Sequence, residues 1–286
     1  MTNARSSARR GRGYRLTRRG RLVLLLGTAV VLAAAAVLVP FLLREEKSER
    51  RRPAPVSLVI PEGWRAGQVY AAVDKALKRP PGTTRTAIRS ARLKLPPEAR
   101  GNPEGYLFPA TYPIDAKTTP ASLLSFMVNT AHQRFGATAV TGSARRRGLT
   151  PYEAVNVASI VQAEADTASD MGKVARVIHN RLAKGMPLQM DSTLNYALDR
   201  STVDTTAADT RLDNPYNTYG RTGLPPTPID NPGEEAMRAA VAPPAGDWLY
   251  FVTVEPGDTR FTSDYEEHRR NVAEFNARRA EARNAG

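Results

Sequence analysis

Thr150-Pro-Tyr-Glu-Ala-Val-Asn-Val-Ala-Ser-Ile-Val-Gln-Ala-Glu164 decides how the rest of the chain is read. From Tyr152 on it is apolar almost all round, the pattern of a helix buried in a domain centre. Its start is marked three ways: Thr150 suits the N-cap, Pro151 the first helical position, and Glu153 completes a capping box. Glu164 follows Val161, Ile160 and Val157 at helical spacings of three, four and seven, so its carboxylate projects from the apolar side. Two explanations fit a buried acid there. One is a structural ion pair with Arg176 or Arg181 on the next predicted helix. The other is a general acid/base whose pKa is raised by desolvation and by the negative end of the helix dipole. Spacing alone leaves both open.

Downstream, Met171 to Lys184 predicts a helix with Val174, Val177, Ile178 and Leu182 inward, Gly185 as C-cap and Asp170 as N-cap. Leu188-Gln-Met-Asp-Ser-Thr193 puts Gln189, Asp191 and Thr193 at alternate positions. In a strand they share one face, an amide, a carboxylate and a hydroxyl suited to sugar hydroxyls. Tyr216-Asn-Thr-Tyr219 and Gly223-Leu-Pro-Pro-Thr-Pro-Ile229 form a polar-aromatic loop stiffened by proline. Asn231-Pro-Gly-Glu234 opens a helix to Val241. Trp248–Val254 and Thr259–Thr262 predict a hairpin around Pro256-Gly257-Asp258, and Ser263-x-x-Glu266 a cap for the last helix.

Upstream, Pro120 to Phe135 predicts an amphipathic helix with Leu123, Leu124, Met127, Val128 and Ala131 packed. Glu104-Gly-Tyr-Leu-Phe-Pro-Ala-Thr-Tyr112 reads as a buried loop or a groove wall. Residues 56–100 predict a small module: a strand at Val56–Ile60, a turn at Pro61–Gly63, a helix over Ala66–Leu77 and another over Thr84–Leu93. Before it, Arg44 to Pro55 reads as a linker.

The N-terminal residues have a different character. Of the net charge of +13, eight arginines stand within residues 1–21 without an acid. Leu22 to Leu43 then runs 22 residues without a charge, long enough to cross a bilayer as a helix. The positive-inside rule expects residues 1–21 in the cytoplasm and everything after Arg44 outside, a single-pass protein of the cell membrane. The Ala33–Ala36 tract also leaves a cleaved signal peptide open; the length of the run favours an anchor. A basic tail is compatible with nucleic acid, but the apolar run points to a membrane, so no nucleic-acid partner is expected.

The chain has no cysteine, which removes disulfides, thiolate metal sites and thiol nucleophiles. Its three histidines, His132, His179 and His268, lie far apart and read as surface or packing residues, so no metal site is expected.

Taken together, Glu104-Gly-x-x-Phe-Pro-x-Thr-Tyr112, Ala158-Ser-Ile-Val-x-x-Glu164, Asn180-Arg-Leu182, Leu188-Gln-x-Asp-x-Thr193, Tyr216-Asn-Thr-Tyr219, Gly223-Leu-Pro-Pro226 and Asn231-Pro-Gly233 resemble the MltG, or YceG-like, family of endolytic murein transglycosylases. The resemblance runs from about Val56 to Phe275. It implies an α+β protein with a LysM-like module at 56–100 and a catalytic domain over 101–286, using no cofactor. It implies that Glu164 is the catalytic acid/base, with Gln189, Asp191, Thr193, Tyr216, Asn217, Thr218, Tyr219, Glu104 and Tyr106 in the substrate groove. Many relatives carry Glu-x-Glu where this chain has Gln162-Ala-Glu164, which leaves Glu164 as the one acid of that motif.

The activity so implied is cleavage of the N-acetylmuramic acid to N-acetylglucosamine bond in nascent strands, giving 1,6-anhydro ends that terminate elongation. One acid suffices for this chemistry, whereas ordinary glycosidases use two carboxylates. A hydrolase reading draws its second acid from Asp166, Asp170 or Asp191. The expected partners are peptidoglycan strands, the membrane through Leu22–Leu43 and peptidoglycan synthases. The alternative from another class is a non-catalytic wall-binding scaffold that recruits synthesis enzymes.

Overall fold

The computed structural model describes residues 56–136, 138–201 and 205–285, with short pieces between residues 17 and 39. The chain divides into two units, Met1–Pro55 and Val56–Gly286. In the first, the described pieces of residues 27–39 are helical and exposed. Among the described residues no helix is long and apolar enough to cross a membrane. Much of the span expected at Leu22–Leu43, almost all of the Arg-rich tail and the whole linker lie outside the described residues.

The second unit is a mixed α and β structure. It begins with a βααβ segment: β1 (Val56–Val59), α1 (Ala66–Ala76), α2 (Thr83–Ala91) and β2 (Thr111–Ile114). β1 and β2 pair antiparallel, Val56 opposite Ile114 and Val59 opposite Thr111, so this small sheet crosses the boundary expected at residue 100. Val69, Tyr70 and Val73 line the inner face of α1, at the spacing expected of an amphipathic helix. The start of α2 is capped by Asp74, a buried residue of α1. Its carboxylate accepts from Gly82 N (2.7 Å), Thr84 N (2.8 Å) and Thr84 Oγ1 (2.6 Å). Burial works to raise the Asp74 pKa, but the hydrogen bonds from Thr84 and Gly82 outweigh it and hold the carboxyl below its ordinary value.

The body is helical: α3 (Pro120–Phe135), α4 (Thr138–Arg146), α5 (Pro151–Glu164), α6 (Ala168–Ala183), α7 (Asp191–Ala197) and α8 (Glu234–Val241). α5 is central and packs against α4, α6, α7 and α8. Thr150 Oγ1 accepts from Glu153 N (3.1 Å) while Glu153 Oε2 accepts from Thr150 N (2.8 Å), closing the expected capping box. Val155, Val157, Ala158, Ile160 and Val161 are fully buried. The polar side chains on this buried helix fasten the proline-rich loop: Asn156 Nδ2 donates to Pro225 O (2.6 Å), and Ser159 Oγ accepts from Ile229 N (3.0 Å). Gly105 lies against the same loop at a φ of +83°. A Cβ there would stand 2.6 Å from Pro228 Cγ, so close approach and backbone both require glycine. The hairpin β3 (Tyr250–Glu255) and β4 (Asp258–Thr262) carries the last helix, α9 (Tyr265–Ala285), on one side.

Three local expectations are corrected, and one helix goes beyond them. The helix after Glu164 begins at Ala168, because Thr167 takes the N-cap and Asp170 stands in the first turn with its N–H on Thr167 Oγ1. The last helix is capped by Asp264, whose Oδ1 accepts from Glu267 N, and not by Ser263. α4 was not foreseen from its polar, Arg-rich sequence. No strand forms over Leu188–Thr193. Gln189 turns the chain at a φ of +54° and α7 starts at Asp191, which ends the alternation on which a shared face depended.

Candidate active site

Glu164 is the last residue of α5 and is half-buried, retaining some solvent access. Its Oε1 accepts from Ser192 Oγ (2.6 Å) and Ser192 N (3.2 Å) in the first turn of α7. The carboxylate therefore stands between the C-terminal end of one helix and the N-terminal end of another, whose dipoles act on it with opposite sign. Desolvation is the largest influence and raises the pKa. The Ser192 hydroxyl and N–H lower it, the Asp191 charge raises it again, and the result is above the ordinary glutamate value.

Neither arginine proposed as an ion-pair partner reaches it. Arg176 donates to Pro244 O (2.6 Å) and Pro243 O (3.1 Å). Arg181 donates to Leu249 O (2.6 Å), Pro187 O (3.1 Å), Leu188 O (2.8 Å) and Gln189 Oε1 (3.0 Å). Gln162, two residues earlier on α5, is turned to Gly233, whose N–H it accepts at 3.0 Å.

Asp191 and Tyr219 accompany Glu164, and Gln189 stands two residues before Asp191. Asp191 Oδ1 accepts from Tyr219 OH (2.6 Å), and burial together with this bond raises the phenol pKa. Gln189 is exposed; its N–H donates to Thr218 O (2.9 Å) while Arg181 holds its side-chain oxygen. Asp191 and Tyr219 lie near enough to Glu164 for their charges to interact.

Of the other residues expected in a groove, Thr193, Asn217 and Thr218 are buried and Tyr216 is half-buried. Thr193 is fully buried, its hydroxyl donating to Met190 O (2.7 Å) and sharing a hydrogen bond with Thr218 Oγ1 (2.9 Å). Thr218 Oγ1 accepts from Met190 N (3.0 Å). Asn217 is buried and staples its loop. It donates to Thr210 O (3.0 Å) and Leu212 O (2.8 Å) and accepts from Tyr219 N (3.0 Å). Tyr216 packs on Tyr196 with ring centroids 4.9 Å apart and shares a hydrogen bond with Thr227 Oγ1 (2.9 Å).

Glu104 and Tyr106 belong to the seam with the βααβ segment. Glu104 is buried, and its Oε1 accepts from Ala66 N (2.8 Å) and Asn231 Nδ2 (3.2 Å), its Oε2 from Tyr196 OH (3.2 Å). Desolvation pushes its pKa up to about 7 against those bonds. Tyr106 is buried between Tyr152 and His132. His179 hydrogen-bonds Ala240 O (2.7 Å), and His268 stacks on Tyr250. Among the described residues, no group of three or more His, Asp or Glu side chains is gathered to hold a metal ion.

Ser192, the direct partner of Glu164, was missed by reading the sequence. A strand at 188–193 points it away from Asp191 and Thr193, whereas a helix starting at Asp191 presents its N–H and hydroxyl together. Only an Asp-Ser pair after an apolar stretch hinted at that helix start.

The sequence pattern of the family described as YceG-like matches residues 36–274. A Bacillus subtilis (strain 168) protein named endolytic murein transglycosylase is 33% identical over 197 residues, covering 68% of this chain and 52% of the relative. A Streptococcus pneumoniae (serotype 2, strain D39) protein of the same name is 32% identical over 253 residues, covering 79% of this chain and 46% of the relative. The chain thus spans about half the length of the curated relatives it matches. A crystal structure from Listeria monocytogenes, described as a yceG-like protein, superposes with a TM-score of 0.66 at 30% identity, covering 78% of this chain and 77% of that one.

Proposed function

The chain belongs to the YceG-like family, and from that premise we propose that it is a membrane-anchored lytic transglycosylase that cuts peptidoglycan strands internally. The names of its relatives support the activity. The observation that carries it is the Glu164 carboxyl. It is reachable from solvent, bonded by Ser192, without a basic partner among the described residues, and raised in pKa so that more of it is protonated near neutrality.

In the proposed reaction Glu164 gives its proton to the glycosidic oxygen between N-acetylmuramic acid and N-acetylglucosamine as the C1–O bond breaks. The substrate's own N-acetyl group stabilises the cation. The Glu164 carboxylate then takes the proton of the C6 hydroxyl, whose oxygen bonds to C1. A 1,6-anhydro end results, no water is consumed and the acid is regenerated. Asp191, engaged by Tyr219, orients the sugar with Gln189. The anchor is the Leu22–Leu43 run with the N-terminus cytoplasmic, the βααβ segment is the LysM-like module, and cutting nascent strands ends their elongation beside the synthases. Mass spectrometry of purified glycan strands after digestion tests the chemistry. Anhydro ends are expected, and free reducing ends carrying oxygen from labelled water would show a hydrolase instead.

A further inference from the structure

A groove of about 940 Å³ opens where α1 and α2 face the chain after α7. Arg65, Tyr70, Arg85, Asn102, Tyr196 and Arg200 are among its walls. Its charge is uneven. Arg200 is neutralised by Asp209 (2.7 Å). Arg65 is positioned and only partly neutralised, the buried Glu104 and Asp230 carboxyls lying near enough to feel its charge. It donates to Arg200 O (2.9 Å) and lies 5.3 Å from the Tyr196 ring centroid, and its nearest carboxylate, Asp199 at 3.7 Å, is fully exposed and well screened. Arg85 is exposed over the Tyr70 ring, and among the described residues no ion pair involves it. Its guanidinium reaches the first turn of α1, 3.6 Å from where a Gly67 Cβ would stand. Two guanidiniums, Arg85 beside the first turn of α1 and Arg65 against Tyr196, therefore line one groove, and guanidiniums are the side chains that receive carboxylates. The Glu104 carboxyl at the floor is engaged by Ala66 N and Tyr196 OH, and with its pKa near 7 it offsets this field only in part.

Tyr196 ties the groove to the reacting centre, because it is one turn along α7 from Ser192, about 6 Å of helix. A muramic acid unit seated at Glu164 carries a peptide branch with free carboxylates, and a few extended residues at roughly 3.3 Å each cover that span. We propose that this groove binds the acidic peptide branch of the wall glycan, with Arg85 and Arg65 receiving its carboxylates. The inference rests on the transglycosylase reading of Glu164 and adds a preference for strands that still carry peptides.

The test titrates the full-length protein by calorimetry with a free tripeptide branch bearing two carboxylates and with the same peptide amidated at both. Wild type should bind the acidic peptide, and Arg85→Glu or amidation should weaken binding by about tenfold or more, the scale of a lost charge-assisted contact. In turnover, Arg85→Glu should raise KM for peptide-bearing strands and leave amidase-stripped strands unchanged. Failure of wild type to bind, equal binding of both peptides, or undiminished binding by Arg85→Glu would overturn the proposal. Should wild type cleave neither strand, the reading of Glu164 fails, and the titration still decides the groove.

Discussion

Glu164 is governed by terms of opposite sign, and each is separately accessible to mutation. Desolvation raises its pKa while the Ser192 hydroxyl and N–H lower it. Ser192→Ala removes the side-chain bond of 2.6 Å and keeps the backbone one, so the Glu164 pKa should rise further. A rate that needs the protonated acid falls as pH passes that pKa. The alkaline limb of the pH–rate profile should therefore move to higher pH in Ser192→Ala; a limb that stays or moves down contradicts the assignment. Stability carries the same sign information. A glutamate whose folded pKa is raised contributes stability that is present in full below its ordinary pKa and lost as pH rises through the folded value. Glu164→Gln does not titrate, so its Tm advantage over wild type should grow with pH from mildly acidic to neutral buffer. A constant or shrinking gap would show that the carboxyl is not destabilised by burial.

Elements set the site by their ends. α5 and α7 meet end to end at Glu164 and Ser192, and Arg181 fixes the turn that makes this possible, bridging Leu249 before β3 to Pro187, Leu188 and Gln189 before α7. Among the described residues Arg181 is buried with no carboxylate paired to it, so a planar fork of donors is what the surrounding carbonyls need. Arg181→Lys keeps the charge but leaves carbonyls unmet, and should cost about 3 kcal/mol, a fall in Tm on the order of 6–12 °C. Activity should fall with it, since Gln189 and the start of α7 lose their support. An unchanged melting curve would remove Arg181 from this role. Legibility in the sequence followed the same division. The start of α5, the α3 and α8 spans and the hairpin were readable because local periodicity and caps decide them. The α7 start was not, because Arg181, buried and outside the segment, fixes the turn in which Gln189 takes a left-handed conformation. For the same reason Thr193, Asn217 and Thr218 read as sugar ligands: their polarity shows in sequence, but whether it faces a ligand or the backbone depends on how the loops close.

At the scale of the whole molecule, Asn231 joins the βααβ segment to the body. It accepts from Leu107 N (2.8 Å) and donates to Trp64 O (2.8 Å) and Glu104 Oε1 (3.2 Å). These long-range bonds help hold the βααβ segment and the body in one compact unit, Val56–Gly286. The proposed anchor adds a topological expectation, motivated by the Arg-rich flank before Leu22. Protease applied to intact spheroplasts should digest the region after Arg44 and spare the tail, and protection of the C-terminal region would contradict the orientation. The central claim is that one carboxyl, Glu164, performs both proton transfers. Its most direct test is mass spectrometry of glycan strands incubated with the full-length Glu164→Gln protein, with folding verified by its melting transition. The account predicts a folded protein that binds strands and releases no 1,6-anhydro ends; anhydro ends appearing at the wild-type rate would contradict it.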